Sequence, residues 1–327
     1  MRRREFITLL GCAASLGPRV SQAQPAGKIP KIGVLWHAGS AEEEGPYFKA
    51  LAEGFRDLGY VDGRNIILEH RFPNEMPERF KVMAAELVAL KIDVLVSVGN
   101  GASYAKNATT TIPVVFMLIP DPVGAHLVSS LARPGGNVTG FTNFAAELVG
   151  KRLQFLREII PGLSRIAQLV NPNVQASRLH LDVTRSAASE IGLSVQAFEA
   201  RSVAELEPAF DAMAAASMQA VTVNPEGVPF QGRAIIGNLA ISRRIALCAY
   251  SKETFESGAL ISYGASHSAI CRHAPVYVDK ILKGAKPSEL PVQGPTKFEM
   301  FLNLKTAKSL GLTIPHMVLV QSDETIE

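Results

Sequence analysis

Ten short, nearly continuous apolar runs punctuate the chain, and between successive runs lie stretches whose apolar residues recur at helical spacing. Parallel strands impose this grammar. They are joined by helical crossovers that cover both faces of the sheet, so each strand reads as a solid apolar block. KIGVLW (31–36), NIILEHRF (65–72), IDVLVSV (92–98), IPVVFML (112–118) and NVTGF (137–141) form one set. RIAQLV (165–170), LSVQAF (193–198), MQAVTV (218–223), IALCAY (245–250) and GALISYG (258–264) form a second. The fold class is therefore α/β, with two similar doubly wound lobes built on parallel sheets.

The intervening helices can be placed coarsely. In YFKALAEGFRDLG (47–59), Phe48, Leu51, Phe55 and Leu58 share a face. A short helix is expected after Asp121-Pro122, since proline suits the first helical position. In AICRHAPVYVDKILKG (269–284), Pro275 either kinks one helix or separates two. The Pro- and Gly-rich GAKPSELPVQGP (284–295) reads as a surface connection, after which KFEMFLNLKTAKSLGLTIP (297–315) returns as one strand and a short helix. At 327 residues the chain exceeds what one core usually covers, which fits two lobes.

Residues 1–23 carry an arginine cluster, an apolar run from Phe6 to Leu16 and a small-x-small site at Ser21-Gln22-Ala23. That run is too short to cross about 30 Å of hydrocarbon, so the segment reads as an export signal, and Arg3-Arg4-Glu5-Phe6-Ile7 fits the twin-arginine pattern. Cys12, in Leu-Leu-Gly-Cys, resembles a lipoprotein box but has few apolar residues before it; a small signal residue is the simpler reading. The whole chain has 33 basic and 30 acidic side chains, and residues 1–23 hold four arginines and one glutamate, leaving 29 of each. No basic footprint for nucleic acid survives that removal. The expected address is the periplasm, where Cys248 and Cys271 either pair or stay as buried thiols.

In open α/β sheets, ligands lie beyond the carboxyl ends of the strands. The segments there are HAGSAEE (37–43), GNGAS (99–103), IPDP (119–122), NPNVQ (171–175), NPEGV (224–228), SKETF (251–255) and ASHS (265–268). Gly99, Asn100, Gly101 and Ala102 make a strand-to-helix turn whose backbone N–H groups suit a carboxylate, or simply a capped helix start. Asp121 either balances an ammonium or caps its own turn. Asn171 and Asn224 begin two Val-Asn-Pro turns at corresponding places. Glu226, Tyr250 and Tyr263 offer polar and aromatic groups for a small-ligand cleft, with Trp36 and His37 closing the first strand. Thr142 falls in a stretch, Thr139 to Asn143, expected to begin a hinge. No Gly-x-Ser-x-Gly elbow, cysteine nucleophile motif or His-x-x-x-His pair is present, so no enzyme activity, metal or cofactor is expected.

Several long motifs carry a resemblance. FRDLGYVDGRNIILEHRF, DPVGAHLVSSLARPGGNVTGFT, KRLQFLREIIPGLSRIAQLVNPN, YVDKILKGAKPSELPVQGPTKFEMFLNLKTAKSLGLTIP and DETIE resemble the substrate-binding proteins of ABC transporters, in the family that includes tryptophan- and tyrosine-type solute receptors. The resemblance covers almost the whole chain. It implies a type I periplasmic binding protein, with Rossmann-like lobes at 28–141 plus 264–291 and at 142–263 plus 292–327, joined by three hinge crossings. The implied activity is capture of a small molecule, an amino acid or related small carboxylate, by hinge closure, by a monomer that delivers it to an ABC permease in the inner membrane. A periplasmic sensor feeding a membrane signalling protein would use the same cleft. A transcription regulator of this architecture would need a DNA-binding helix pair where the export signal stands.

Overall fold

The structure, a computed structural model, describes residues 28–327. The expected export signal and Cys12 lie outside the described residues. Two sheets organise the molecule. The first is five-stranded and wholly parallel, ordered β2-β1-β3-β4-β5, with β1 Lys31–Leu35, β2 Ile67–Arg71, β3 Val94–Val98, β4 Val114–Ile119 and β5 Val138–Thr142. The second has seven strands: β6 Arg165–Val170, β7 Ser194–Glu199, β8 Ala220–Thr222, β9 Ala246–Ala249, β10 Ile261–Ala265, β11 Phe298–Asn303 and β12 Glu324–Ile326. Their order is β12-β11-β10-β9-β8-β6-β7. The two-lobed α/β reading holds, with one departure: β11 runs antiparallel to β10.

Burial follows position in the sheet. The central β3 and β4 are buried at every residue, while the edge strand β2 is only half-buried and β7 alternates toward solvent. Each sheet face is sealed by amphipathic helices. Ile32, Val34 and Val96 pack with Leu51 and Phe55 on one face of the first sheet, and Leu35, Leu95 and Phe116 pack with Phe80 and Leu87 on the other. Each such side chain contributes about 1.5–3 kcal/mol by leaving water.

The helix Pro46–Asp57 buries Tyr47, Ala50, Leu51, Gly54 and Phe55, an i, i+3, i+4, i+7, i+8 stripe. Leu58, expected on that face, is exposed instead. Gly54 matters because a Cβ there would sit 2.0 Å from the Arg272 carbonyl oxygen. The bare backbone lets helix His267–His273, which follows β10 of the second sheet, dock on the first lobe. Pro275 ends that helix outright and opens the next, Pro275–Leu282. No helix follows Asp121; residues 122–127 form turns, because the Asp121 carboxylate accepts from the Val123 and Gly124 amides and ties the chain into a tight loop.

The chain passes between the sheets after β5, after β10 and before β11. These passages lie side by side: Thr142 N–H donates to Gln293 O (2.9 Å), Gln293 N–H to Gly140 O (3.0 Å), and Ser266 N–H to Lys297 O (2.9 Å). As a result, the carboxyl ends of the parallel strands of both lobes face one another.

Candidate functional site

The first lobe's wall grows from the loop after β1. Ser40 caps the helix Ala41–Glu44 by accepting from Glu43 N–H, and this turn swings Glu44 back under the strand end. Glu44 is fully buried, and its Oε1 accepts from the backbone N–H of His37 (3.0 Å) and of Ala38 (2.7 Å) and lies 2.9 Å from His37 Nδ1. Burial alone would lower the His37 pKa; Glu44, Glu75 and Glu253 outweigh it and hold the imidazole up at about 9. Glu75 is presented by two successive left-handed residues, Asn74 (φ 56°) and Glu75 (φ 54°), whose amides bond back to Ala38 O and His37 O. Asn100, at the turn opened by Gly99 (φ 51°), donates to Glu75 Oε2 at 3.0 Å.

Facing it, the second lobe contributes the turns after β6, β8 and β9. Ser177 Oγ accepts from Asn171 N–H at 3.0 Å, which fixes the first Val-Asn-Pro turn. The second turn carries Asn224 and Glu226, both buried. Burial pushes the Glu226 carboxyl up to about 7, against the pull of Asn224, Ser177 and the Asn171 backbone, with Glu75 of the opposite lobe adding to the rise. Gly264 lacks the Cβ that would meet Tyr250 O at 2.2 Å, so β10 and the end of β9 draw together and Tyr250 is held at the cleft.

On the crossing side, the Tyr47 hydroxyl lies 3.2 Å from His267 Nδ1, and His267 Nε2 lies 3.5 Å from the Asn143 amide. Leu118, at the broken register of β4, holds φ 62°, an uncommon state for leucine, and its carbonyl accepts from Asn143 at 3.5 Å. A cavity of about 660 Å³ opens between the lobes here, bounded by Tyr47 and His267 on one side and Tyr250 and Glu253 on the other.

The lobes are closed on one another. Gln231 Nε2 donates to Asn74 O at 3.0 Å, the His37 and Phe230 rings lie 4.6 Å apart, and the Gly227 backbone packs on Glu75. Within this closed cleft, Glu44 Oε2, Asn224 Oδ1, Glu226 Oε2 and Glu253 Oε1 have no hydrogen-bond partner among the described residues. Buried acceptors are nearly always satisfied in folded proteins, so a group of four marks a place where something with donors belongs. Residues 44–326 match the family described as ABC transporter substrate binding protein.

The chain belongs to that family.

Substrate-binding proteins of ABC transporters bind small molecules outside the cytoplasm and are not enzymes. Among the described residues, no helix is long and apolar enough to cross a membrane. A curated relative, a tyrosine-binding protein from Clostridioides difficile, is 25% identical, over 97% of this chain and 92% of its own. A structure from Streptococcus pneumonia in complex with L-Trp is 26% identical, with a TM-score of 0.84, covering 91% of this chain and all of the other. A conserved domain protein from Vibrio cholerae is also 26% identical, with a TM-score of 0.86 and the same coverage.

The structure sorts the site residues expected of this substrate-binding protein. Of the expected residues, Tyr250 lines the cavity, while His37 and Asn100 lie on the first lobe's side of the contact between the lobes and Asn171, Asn224 and Glu226 on the second's, with Gly99 shaping the turn. Gly101 and Ala102 are buried behind them, Gly101 against Phe80 and Leu35. Trp36 is a correction: it is wholly buried in the first core, stacked with Phe72 and donating its indole N–H to His70 Nδ1 at 3.0 Å. Tyr263 is another, since its strand neighbours Ser262 and Gly264 line the cavity and the alternation sends its ring the other way, onto Phe155 and Phe298. Asp121 is exposed and spends its carboxylate on its own turn. Thr142 is buried at the crossing, with its hydroxyl 3.2 Å from Pro120 O. Glu44, Tyr47, Glu75, Phe230, Glu253 and His267 were not singled out from sequence, although Glu253 and His267 sit in segments that were.

Proposed function

We propose that this chain captures a small solute bearing an amino group, an amino acid or a close relative, between its lobes and delivers it to an ABC permease from the periplasm. The single observation that carries the reading is the set of unpartnered acceptors inside the closed cleft. An ammonium offers three donors and a positive charge to such a wall. The N–H groups at the Asn100–Gly101 turn are suited to a carboxylate on the same molecule. The names of the relatives, which speak of tyrosine and L-Trp, support an amino acid as the solute.

Closure follows from where the contacts lie. Glu75 and His37 belong to one wall and Asn224, Glu226 and Glu253 to the other, so a solute gains both sets only when the walls meet, and binding shifts the population toward the closed form. The three adjacent passages near residues 142–144, 264–266 and 291–297 would act as the hinge between lobes 28–141 plus 264–291 and 142–263 plus 292–327. A thermal-shift screen of the purified protein against amino acids, amines and amine-free carboxylates tests this. A solute at a hundred times its Kd adds about 2.7 kcal/mol of stability. Stabilisation is expected only from compounds with a primary amine; stabilisation confined to amine-free carboxylates would overturn the proposal.

A further inference from the structure

We infer that the cleft selects a solute of net positive charge, a basic amino acid or an amine, over a neutral zwitterion. This rests on the capture reading above and narrows its class of solute. The four unpartnered atoms inside the cleft are all acceptors, and Glu44, Asn224 and Glu226 are 0%, 3% and 7% exposed. Asn224 is an uncharged amide, so the shortage is one of donors as well as of charge. A buried acceptor left bare costs about 1–3 kcal/mol, more when charged, and a solute rich in N–H groups recovers that cost.

Charge points the same way. Glu44, Glu75, Glu226 and Glu253 come from four separate segments on both lobes. His37 meets them with one positive charge and has its Nδ1 engaged with Glu44. Lys252 and Lys297 also line the cavity, but both are already paired with carboxylates of its own wall, Lys252 with Glu324 and Glu256 and Lys297 with Glu299, while Arg152 is held by the Ala145 and Leu148 carbonyls. A zwitterion brings a second negative charge into this surplus of carboxyl groups, whereas a net cation reduces the surplus. Tyr47 and Tyr250, beside Glu253, add aromatic faces that attract cations. Among the described residues no group of three His, Cys, Asp or Glu is arranged to hold a metal ion, which favours an organic cation.

The test is titration calorimetry of the purified protein at neutral pH with two matched pairs, L-arginine against L-citrulline and tyramine against L-tyrosine. The first pair exchanges a guanidinium for a neutral ureido group; the second removes a carboxylate. The cationic member of at least one pair is expected to bind at least tenfold more tightly, about 1.4 kcal/mol, and Glu226→Gln to shrink that preference severalfold. Should Glu226→Gln fail to fold, Asn224→Asp adds charge to the same wall and is expected to widen the preference. Equal or tighter binding of the neutral member in both pairs, or no binding of any of the four, overturns the inference. Binding of L-citrulline or L-tyrosine alone leaves the capture reading in place and removes only the charge selection.

Discussion

Replacing Glu226 by glutamine keeps the shape of the side chain and removes its ability to ionise. In the closed cleft, burial raises this carboxyl from 4.5 to about 7. The folded form therefore holds a proton that the unfolded chain releases, and its contribution to stability falls as pH rises from about 4.5 to 7. A shift of that size corresponds to at most about 3 kcal/mol at pH 8, since each unit is worth about 1.4 kcal/mol. Glutamine escapes the penalty. Below pH 4.5, where the glutamate is protonated in both states, the two proteins should melt together. By pH 8 the variant should melt higher, by up to about 6 °C for a chain of this size. The assay is a pair of thermal melts, without solute, at pH 4, 6 and 8. A gap that stays constant with pH, or a variant that is less stable at pH 8, would refute the burial of an ionisable carboxyl at this position.

Other expectations follow from single contacts. His37→Ala leaves Glu44 buried without its cation and is expected to cost roughly 3 kcal/mol at pH 6; because the histidine pKa is raised to about 9, that loss should fade as pH rises through 9, checked by denaturant unfolding at both ends. Gly54→Ala forces helix His267–His273 away from helix Pro46–Asp57 and should lower the melting temperature by several degrees, whereas Gly150→Ala, whose new methyl meets only the Ala187 Cβ at 4.0 Å, should not. Tyr263→Leu should lower stability while leaving solute affinity within twofold, measured by calorimetry, because its ring packs away from the cavity. Cys248 and Cys271 are free and buried, with burial pushing Cys248 up to about 11 and Cys271 well above the ordinary thiol range; neither should react with a thiol reagent at pH 8 until the protein is unfolded.

The strand blocks were legible because parallel sheets are covered on both faces, so β1, β3 and β4 announce themselves as runs such as VLVSV and VVFMLI. β12 was not, since Glu324–Ile326 is short, mostly exposed and has no apolar run. The rule that ligands gather at strand carboxyl ends located the right loops but not the right side chains. Which residue of a loop turns inward depends on tertiary packing: Glu75 reaches the cleft only because Asn74 and Glu75 both adopt left-handed geometry, held by carbonyls of another loop. Parity decided the tyrosines. Tyr250 ends its strand at the cleft, while Tyr263 lies one residue out of phase with Ser262 and Gly264. Asp121 reads from sequence as either anchor or cap, with the cap slightly favoured, and its exposed position gives the carboxylate no better partner than its own backbone.

The most direct measurement is the distance between the lobes. Spin labels at Glu78→Cys and Asp182→Cys, both exposed and one on each lobe, can be read by pulsed dipolar spectroscopy, with Cys248 and Cys271 buried and silent. Titration with an amine that stabilises the protein is expected to collapse a broad or long distance distribution onto a single shorter one, and Glu226→Gln to weaken that response. A distribution that stays the same at saturating solute would contradict capture by closure.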